Sequence, residues 1–247
     1  MQLTTYKMII QYEGTKYRGW QRLKTSDQTI QTKIEHVLSR IFDEDIEIQG
    51  SGRTDAGVHA LGQVASFKAH RNIAPYDLKR EMNRYLPEDI VVTDLSVAPQ
   101  EFHARFHAKR KNYTYQLWVA EQPSVFDRNF VWHMEGKALD LNQMKRAAEL
   151  LIGMHDFSGF STDKTKKSTI RTVESIDFIE EGNFLKIVFV GDGFLYNMVR
   201  IMVGTLVEIG LGARAIESIL KVFDTNKREF AGETAPAKGL FLIEVFY

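Results

Sequence analysis

Apolar positions recur along this chain with two periods, one of strands and one of helices. Residues 4–12 (TTYKMIIQY) carry the β-branched and aromatic residues that strands favour. In residues 28–41, Ile30, Ile34, Val37, Leu38 and Ile41 fall on one face of a helix, and Asp27 is placed to cap it. Residues 46–50 (IEIQG) alternate as a short strand, and residues 63–69 (QVASFKA) read as another. Between them SGRTDAGVHALG is a glycine-studded loop. Residues 75–85 predict a second helix that opens at Pro75, and residues 90–97 a closing strand.

The second half repeats this order. Residues 112–119 (NYTYQLWV) alternate strongly as a strand. Residues 140–152 predict a helix capped by Asp140, with Leu141, Met144, Ala148 and Leu151 inward. A long lysine-bearing loop follows at 153–169. Strands at 171–180 and 184–190 are joined by a turn at Glu181-Gly182-Asn183. A helix is expected from Phe194 to Ile209, ended by Gly210 and Gly212, then another over 213–223 and a last strand over 240–246. Each half thus reads β-α-β-β-α-β, the split-βαβ order. The expected fold is α+β: two ferredoxin-like halves, 1–104 and 105–247, with mainly antiparallel sheets flanking a central basic cleft.

Composition narrows the function. The 247 residues are 44% hydrophobic and 11% aromatic, enough for a core in each half. No run reaches the roughly 18 apolar residues that a membrane span needs; Phe194–Ile209 is interrupted by Asn197, Arg200, Gly204 and Glu208. The N-terminal residues lack the pattern of a signal peptide, so a soluble, cytoplasmic protein is expected. The absence of cysteine excludes disulfides, thiol nucleophiles, iron–sulfur clusters and Cys-type zinc sites. Net charge is zero, from 32 basic and 32 acidic residues, yet the charges are not mixed evenly. Residues 16–24 carry Lys16, Arg18, Arg22 and Lys24 without an acid, residues 103–111 carry Arg105, Lys109, Arg110 and Lys111, and residues 164–172 add Lys164, Lys166, Lys167 and Arg171. Each run could be an ordinary solvated face. Their aromatic neighbours Tyr17, Trp20, Phe106 and Tyr113 point instead to a polyanion surface.

The segment from Gly50 to His59 holds the most specific chemistry. Its glycines permit close backbone approach, and Arg53 favours the ionised form of Asp55 two residues away. Such a carboxylate is a competent nucleophile; the alternative is a turn aspartate that binds its own backbone. Arg200 lies in MVRIMVG, on a helix apolar nearly all round, so its guanidinium either finds a carboxylate, for which Asp55 is the best candidate, or snorkels to solvent. Asn197 lies one turn earlier. Tyr113 and Tyr115 share one face of their strand and follow Lys109-Arg110-Lys111, an arrangement suited to stacking a base beside phosphates, or simply to filling a core. His103 and His107 have ligand-like spacing but no suitable carboxylates, and no metal site is expected. The chain has no phosphate-binding P-loop, no dinucleotide fingerprint and no serine elbow.

The segment GRTDAGVHA at 52–60 resembles the catalytic motif of the tRNA pseudouridine synthases of the TruA type. YEGTKYRGWQ (12–21), LGQVASF (61–67), KRKNYTY (109–115), HDFSGF (155–160), GFLYNMVRIMVGTL (193–206) and TAPAKGLFL (234–242) are similar to that family's other blocks, in order. Ile30 and Gly159 depart from its usual pattern without touching the proposed chemistry. The resemblance implies that Asp55 is the catalytic aspartate, that Tyr113 stacks on the target uracil, that Arg200 pairs with Asp55, and that Arg53 helps to extrude the nucleotide. It further implies isomerisation of uridine in the anticodon stem-loop of tRNA by a homodimer, without metal or cofactor. Two other functions share these features: a non-catalytic RNA-binding module, and a synthase acting on another RNA site.

Overall fold

The computed structural model describes residues 3–163 and 168–247. Lys164, Lys166 and Lys167 of the third basic run lie outside the described residues. In chain order the elements are β1 (Thr4–Tyr12), α1 (Ile30–Phe42), β2 (Gln49–Gly50), β3 (His59–Ala69), α2 (Pro75–Tyr85), β4 (Ile90–Val97), β5 (Arg110–Trp118), β6 (Trp132–His133), α3 (Leu141–Glu149), β7 (Gly153–Asp156), β8 (Ile170–Glu181), β9 (Phe184–Gly191), α4 (Met198–Gly210), α5 (Ser218–Thr225) and β10 (Leu240–Phe246). The chain is therefore mixed α and β. It forms two compact units, one comprising the chain up to Lys109 together with Phe241–Tyr247, the other Arg110–Leu240.

In the first unit β1 lies between β4 and β3 and is antiparallel to both. The other edge of β3 has two partners. Its middle pairs antiparallel with β2 (Gly50 opposite Ala65), and its start pairs parallel with β10 (Phe241 opposite His59). β1 and β2 therefore run the same way with β3 between them. β3 is buried at nine of its eleven positions, so both of its faces are covered. Helix α1 buries Ile30, Ile34 and Leu38 of the predicted stripe, with Gln31, Thr32 and Glu35 beside them.

Three expectations change here. Thr29, not Asp27, caps α1, because the helix starts at Ile30 and the Thr29 side chain accepts from the Thr32 amide. The stretch 46–50 is a strand only at Gln49–Gly50. The Ile46 amide donates to Ser39 and the Ile48 amide to Glu35, so α1 takes the bonds a ladder would need. β3 begins at His59, four residues earlier than alternation suggested, because β1 and β10 supply its partners at Ala60 and His59.

The second unit carries the antiparallel order β5-β9-β8-β7, with β6 parallel to β5. The hairpin between β8 and β9 turns at Gly182 (φ 59°) as expected. Asp140 caps α3 by accepting from Gln143 at 3.0 Å. The loop expected at 153–169 contains β7 and a 3-10 turn at Phe157–Phe160. That strand shows no alternation of its own and is defined by its pairing with β8. Helix α4 starts at Met198 rather than Phe194, because Asn197 takes a left-handed backbone (φ 62°) that a continuous helix excludes. The helix expected at 213–223 is α5, displaced to Ser218–Thr225. Arg214, on the approach to it, is bound instead by Glu208 and the Phe230 carbonyl.

Eleven of the thirteen residues of α4 are buried; Arg200 and Glu208 are the two that are not. The helix also passes close to a neighbouring chain segment, since a Cβ at Gly204 would lie 2.0 Å from the Glu233 carbonyl oxygen. Helix propensity alone predicts that Gly204→Ala stabilises by about 1 kcal/mol. The backbone contact reverses the sign: we expect a net loss of about 1–3 kcal/mol by chemical denaturation. A midpoint equal to or above that of the wild type would show that the approach does not exist.

Candidate active site

In the first unit the loop bearing Arg53 and Asp55 is fixed residue by residue. Ser51 donates its amide to the Val64 carbonyl and its hydroxyl to Gln63. Gln63, fully buried, also donates to the Gly52 carbonyl at 3.1 Å. Thr54 is held at both ends: its hydroxyl shares a 2.7 Å hydrogen bond with the Tyr12 hydroxyl, and its carbonyl accepts the Trp20 amide at 3.0 Å. Beyond Asp55, the Gly57 amide donates to the Tyr17 carbonyl and the Val58 amide to the Asp55 carbonyl, closing a turn. The His59 ring accepts the Gly14 amide and stacks on Phe241 at 4.7 Å.

The partner of this loop is therefore the segment 12–20. Their approach requires glycine on the facing strand of chain. Gly19 has φ +94°, and a Cβ there would stand 2.7 Å from the Thr54 carbonyl oxygen. Asp55 itself is half-buried. Arg53 is exposed; its Nε donates to Gln21, which donates in turn to the buried Gln31 of α1. A carboxylate is thus carried on a backbone with little freedom, two residues along the chain from an arginine at the surface.

In the second unit Tyr113 and Tyr115 lie on one face of β5, and both are buried. They differ in their surroundings. Tyr115 donates its hydroxyl to the Pro236 carbonyl, and burial pushes its pKa well up, so it is a neutral core residue. Tyr113 meets Phe194 edge to face, at 5.3 Å and 82°. Phe194 begins the segment that leads into α4. Arg200, on the first turn of α4, is half-buried, donates from Nε to the Ala235 carbonyl at 2.7 Å and from Nη1 to Asn197 at 2.9 Å. Asn197 donates to Thr162. The left-handed turn that delays α4 is what brings Asn197 to the guanidinium. Within this unit Tyr113 and Arg200 are thus positioned from the two ends of one segment, 194–200.

The structure sorts the remaining candidates. In the basic run 16–24, Arg22 pairs with Glu35 and Glu47, and Lys16 lies 3.9 Å from Asp89, so acids distant in sequence offset part of that charge. His103 and His107 accept backbone amides within their own turn. Among the described residues no three His, Asp or Glu side chains are grouped to hold a metal. Sequence reasoning missed Tyr12, Gln63 and Gly19, which hold the Asp55 loop. The signal for Tyr12 and Gly19 was the glycine spacing in YEGTKYRGW, which reads as a basic loop until its partner is known.

The tRNA pseudouridine synthase family matches this chain over residues 8–107 and 147–247. Among curated relatives, tRNA pseudouridine synthase A of Bacillus sp. (strain KSM-64) is 48% identical, covering 97% of this chain and 98% of that protein. The proteins of the same name from Acetivibrio thermocellus and Geobacillus sp. (strain WCH70) are 43% and 42% identical, each over 98% of this chain and 98% and 97% of their own. The matched residues include Asp55 with its loop, Arg53 and Arg200, and the chain belongs to the tRNA pseudouridine synthase family.

Proposed function

We propose that this chain isomerises uridine to pseudouridine in the anticodon arm of tRNA, with Asp55 as the catalytic carboxylate. The observation that carries this is the fixed loop at 51–58, whose residues around one half-buried aspartate are tied by hydrogen bonds to Tyr12, Tyr17, Trp20, Gln21, Gln63 and Val64. A protein that only binds RNA has no use for such a carboxylate. In the proposed reaction the N-glycosidic bond breaks, the uracil turns, and C5 bonds to C1′. C5 loses a proton and N1 gains one, so the overall change is an isomerisation that consumes no oxidant, metal or nucleotide.

Tyr113 would stack on the uracil, with the Phe194 edge fixing its plane. Arg200, oriented by Ala235 and Asn197, would complete an ion pair with Asp55, and Arg53 would fill the space of the extruded nucleotide. Extrusion costs a few kcal/mol, which phosphate contacts along the basic runs would offset. We read the chain as two split-βαβ, ferredoxin-like halves, 1–104 and 105–247, flanking a basic cleft in a cytoplasmic homodimer. No helix among the described residues is long and apolar enough to cross a membrane.

Tritium release from C5-labelled tRNA uridine tests the central claim. Asp55→Asn should bind tRNA as the wild type does and lose turnover by on the order of a thousandfold or more. Pseudouridine formed at the wild-type rate would remove Asp55 from the chemistry and leave an RNA-binding protein, or a synthase that works through another group.

Two further variants separate positioning from chemistry. Tyr113→Phe keeps the ring and its contact with Phe194, so tRNA affinity should hold while kcat falls roughly ten- to a hundredfold if the hydroxyl moves the proton; an unchanged kcat would confine Tyr113 to stacking. Arg200→Met should abolish most activity and lower stability by about 1–3 kcal/mol through the lost charged hydrogen bonds. An active variant of unaltered melting temperature would rule out the ion pair. Binding should also weaken linearly in log Kd against log salt, and a flat dependence would argue against a phosphate-tracking surface.

A further inference from the structure

Four aromatic residues flank the basic runs of this chain, and three of them are buried. Tyr17, Trp20 and Tyr113 are 6%, 2% and 7% exposed, whereas Phe106 is 74% exposed. Exposure alone assigns no role, since Phe126 is 90% and Tyr76 70% exposed; what distinguishes Phe106 is the turn that presents it and the cations beside it. Phe106 is not on a loose loop. Its turn is closed by the His107 amide donating to the His103 carbonyl, and the His103 ring accepts the Arg105 amide at 3.1 Å and the Phe106 amide at 3.4 Å. Ala104, fully buried, donates to Ser66 and accepts from the Tyr247 hydroxyl at 2.7 Å, which anchors the turn to β3 and to the chain terminus. The His103 ring backs Phe106 at 4.2 Å and 34°.

The surroundings are cationic. Arg105 lies over the Phe106 ring, and no acidic residue occurs from Phe102 to Lys111, although Glu101 precedes this run and its Arg110 pairs with Glu174 at 3.4 Å. Burial lowers the His103 pKa; a backbone hydrogen bond opposes this, and the charges of His107, Arg105 and Lys68 lower it further. A rigid, exposed aromatic face among cations is poorly suited to another apolar protein surface and well suited to a nucleobase with its phosphate.

Resting on the function proposed above, we propose that Phe106, backed by His103 and flanked by Arg105, is a stacking platform for an unpaired base of the tRNA other than the reacting uridine. It would fix the register of the RNA while Tyr113 holds the target. The site takes a purine or pyrimidine face without selecting among them, since stacking is tolerant of sequence.

The test uses full-length protein and tRNA. Because Phe106 is exposed, Phe106→Ala should melt with the wild type, while Kd and KM for tRNA rise roughly ten- to a hundredfold. The effect should fall on KM rather than kcat. Phe106→Leu, apolar but unable to stack, should resemble the alanine variant. Phe106→Trp should restore affinity, and its added fluorescence should be quenched by tRNA. Wild-type Kd and KM in Phe106→Ala, or full rescue by leucine, would overturn the platform. A loss of self-association in sedimentation without any change in RNA affinity would overturn it too, and assign the ring to an interface between copies. If the wild type binds tRNA but releases no tritium, the enzymatic function fails while the Kd comparison still decides the role of Phe106.

Discussion

The contact on which the functional side of this molecule depends is that between Thr54 and the chain at 12–20. Thr54 precedes the candidate catalytic residue, and its two polar groups go to different elements: the hydroxyl to Tyr12 at the end of β1, the carbonyl to the Trp20 amide. Tyr12 is only 4% exposed, and burial pushes its phenol pKa far up. The phenol is therefore a permanently neutral hydrogen-bond group, which suits a contact that must not change with pH. Gln63 joins the same cluster, bonding Ser51 and Gly52 at the other end of the loop. A buried network of this kind is stabilising only when every member is satisfied, so its fixed geometry follows from its burial.

The second unit solves a related problem differently. A guanidinium on a helix buried at eleven of thirteen positions would be costly if left to find partners by chance. A backbone turn provides one of them, and the Ala235 carbonyl is another. Asn197 in a left-handed conformation both stops the helix from extending toward Phe194 and presents its side-chain oxygen to Arg200. The other charged residue of α4, Glu208, is bound by Arg214 at 2.6 Å and accepts the Glu233 amide. Both charges of an otherwise apolar helix are thus held by segments that leave it, and the same segments explain why α4 and α5 begin later than their hydrophobic pattern suggests.

Much of this was legible in the sequence. Strands β1, β4 and β9 and helix α2 follow from period and punctuation, because their burial is one-sided or their ends carry a Pro, Gly or Asn signal. Asp55 and Arg200 could be singled out because each is a charge in a setting that does not tolerate one without a reason. What could not be read depends on partners distant in sequence. β7 owes its existence to β8; Ile46 and Ile48 lose a ladder to Ser39 and Glu35; and Lys16 and Arg22, which form a basic run on paper, meet Asp89, Glu35 and Glu47 in space. A local charge count has no access to such pairings.

Exposure does the same sorting for the aromatics. In the sequence Tyr17, Trp20, Phe106 and Tyr113 are equivalent, each beside lysine and arginine. The fold uses Trp20 to pack under Gly50, where a Cβ would stand 2.6 Å from the indole, and Tyr17 to bind Asp89. Those rings serve the loop that carries Asp55. Tyr113 is buried against Phe194. Phe106 alone of the four spends none of its face on the core, yet its turn is anchored at Ser66, Tyr247 and His103. Ordering a turn costs conformational entropy for each residue fixed, and an exposed ring returns none of it through burial. The anchoring belongs to Ala104 and His103, and it fixes the backbone that presents the exposed ring, which under the stacking proposal reduces the protein entropy lost when a base arrives.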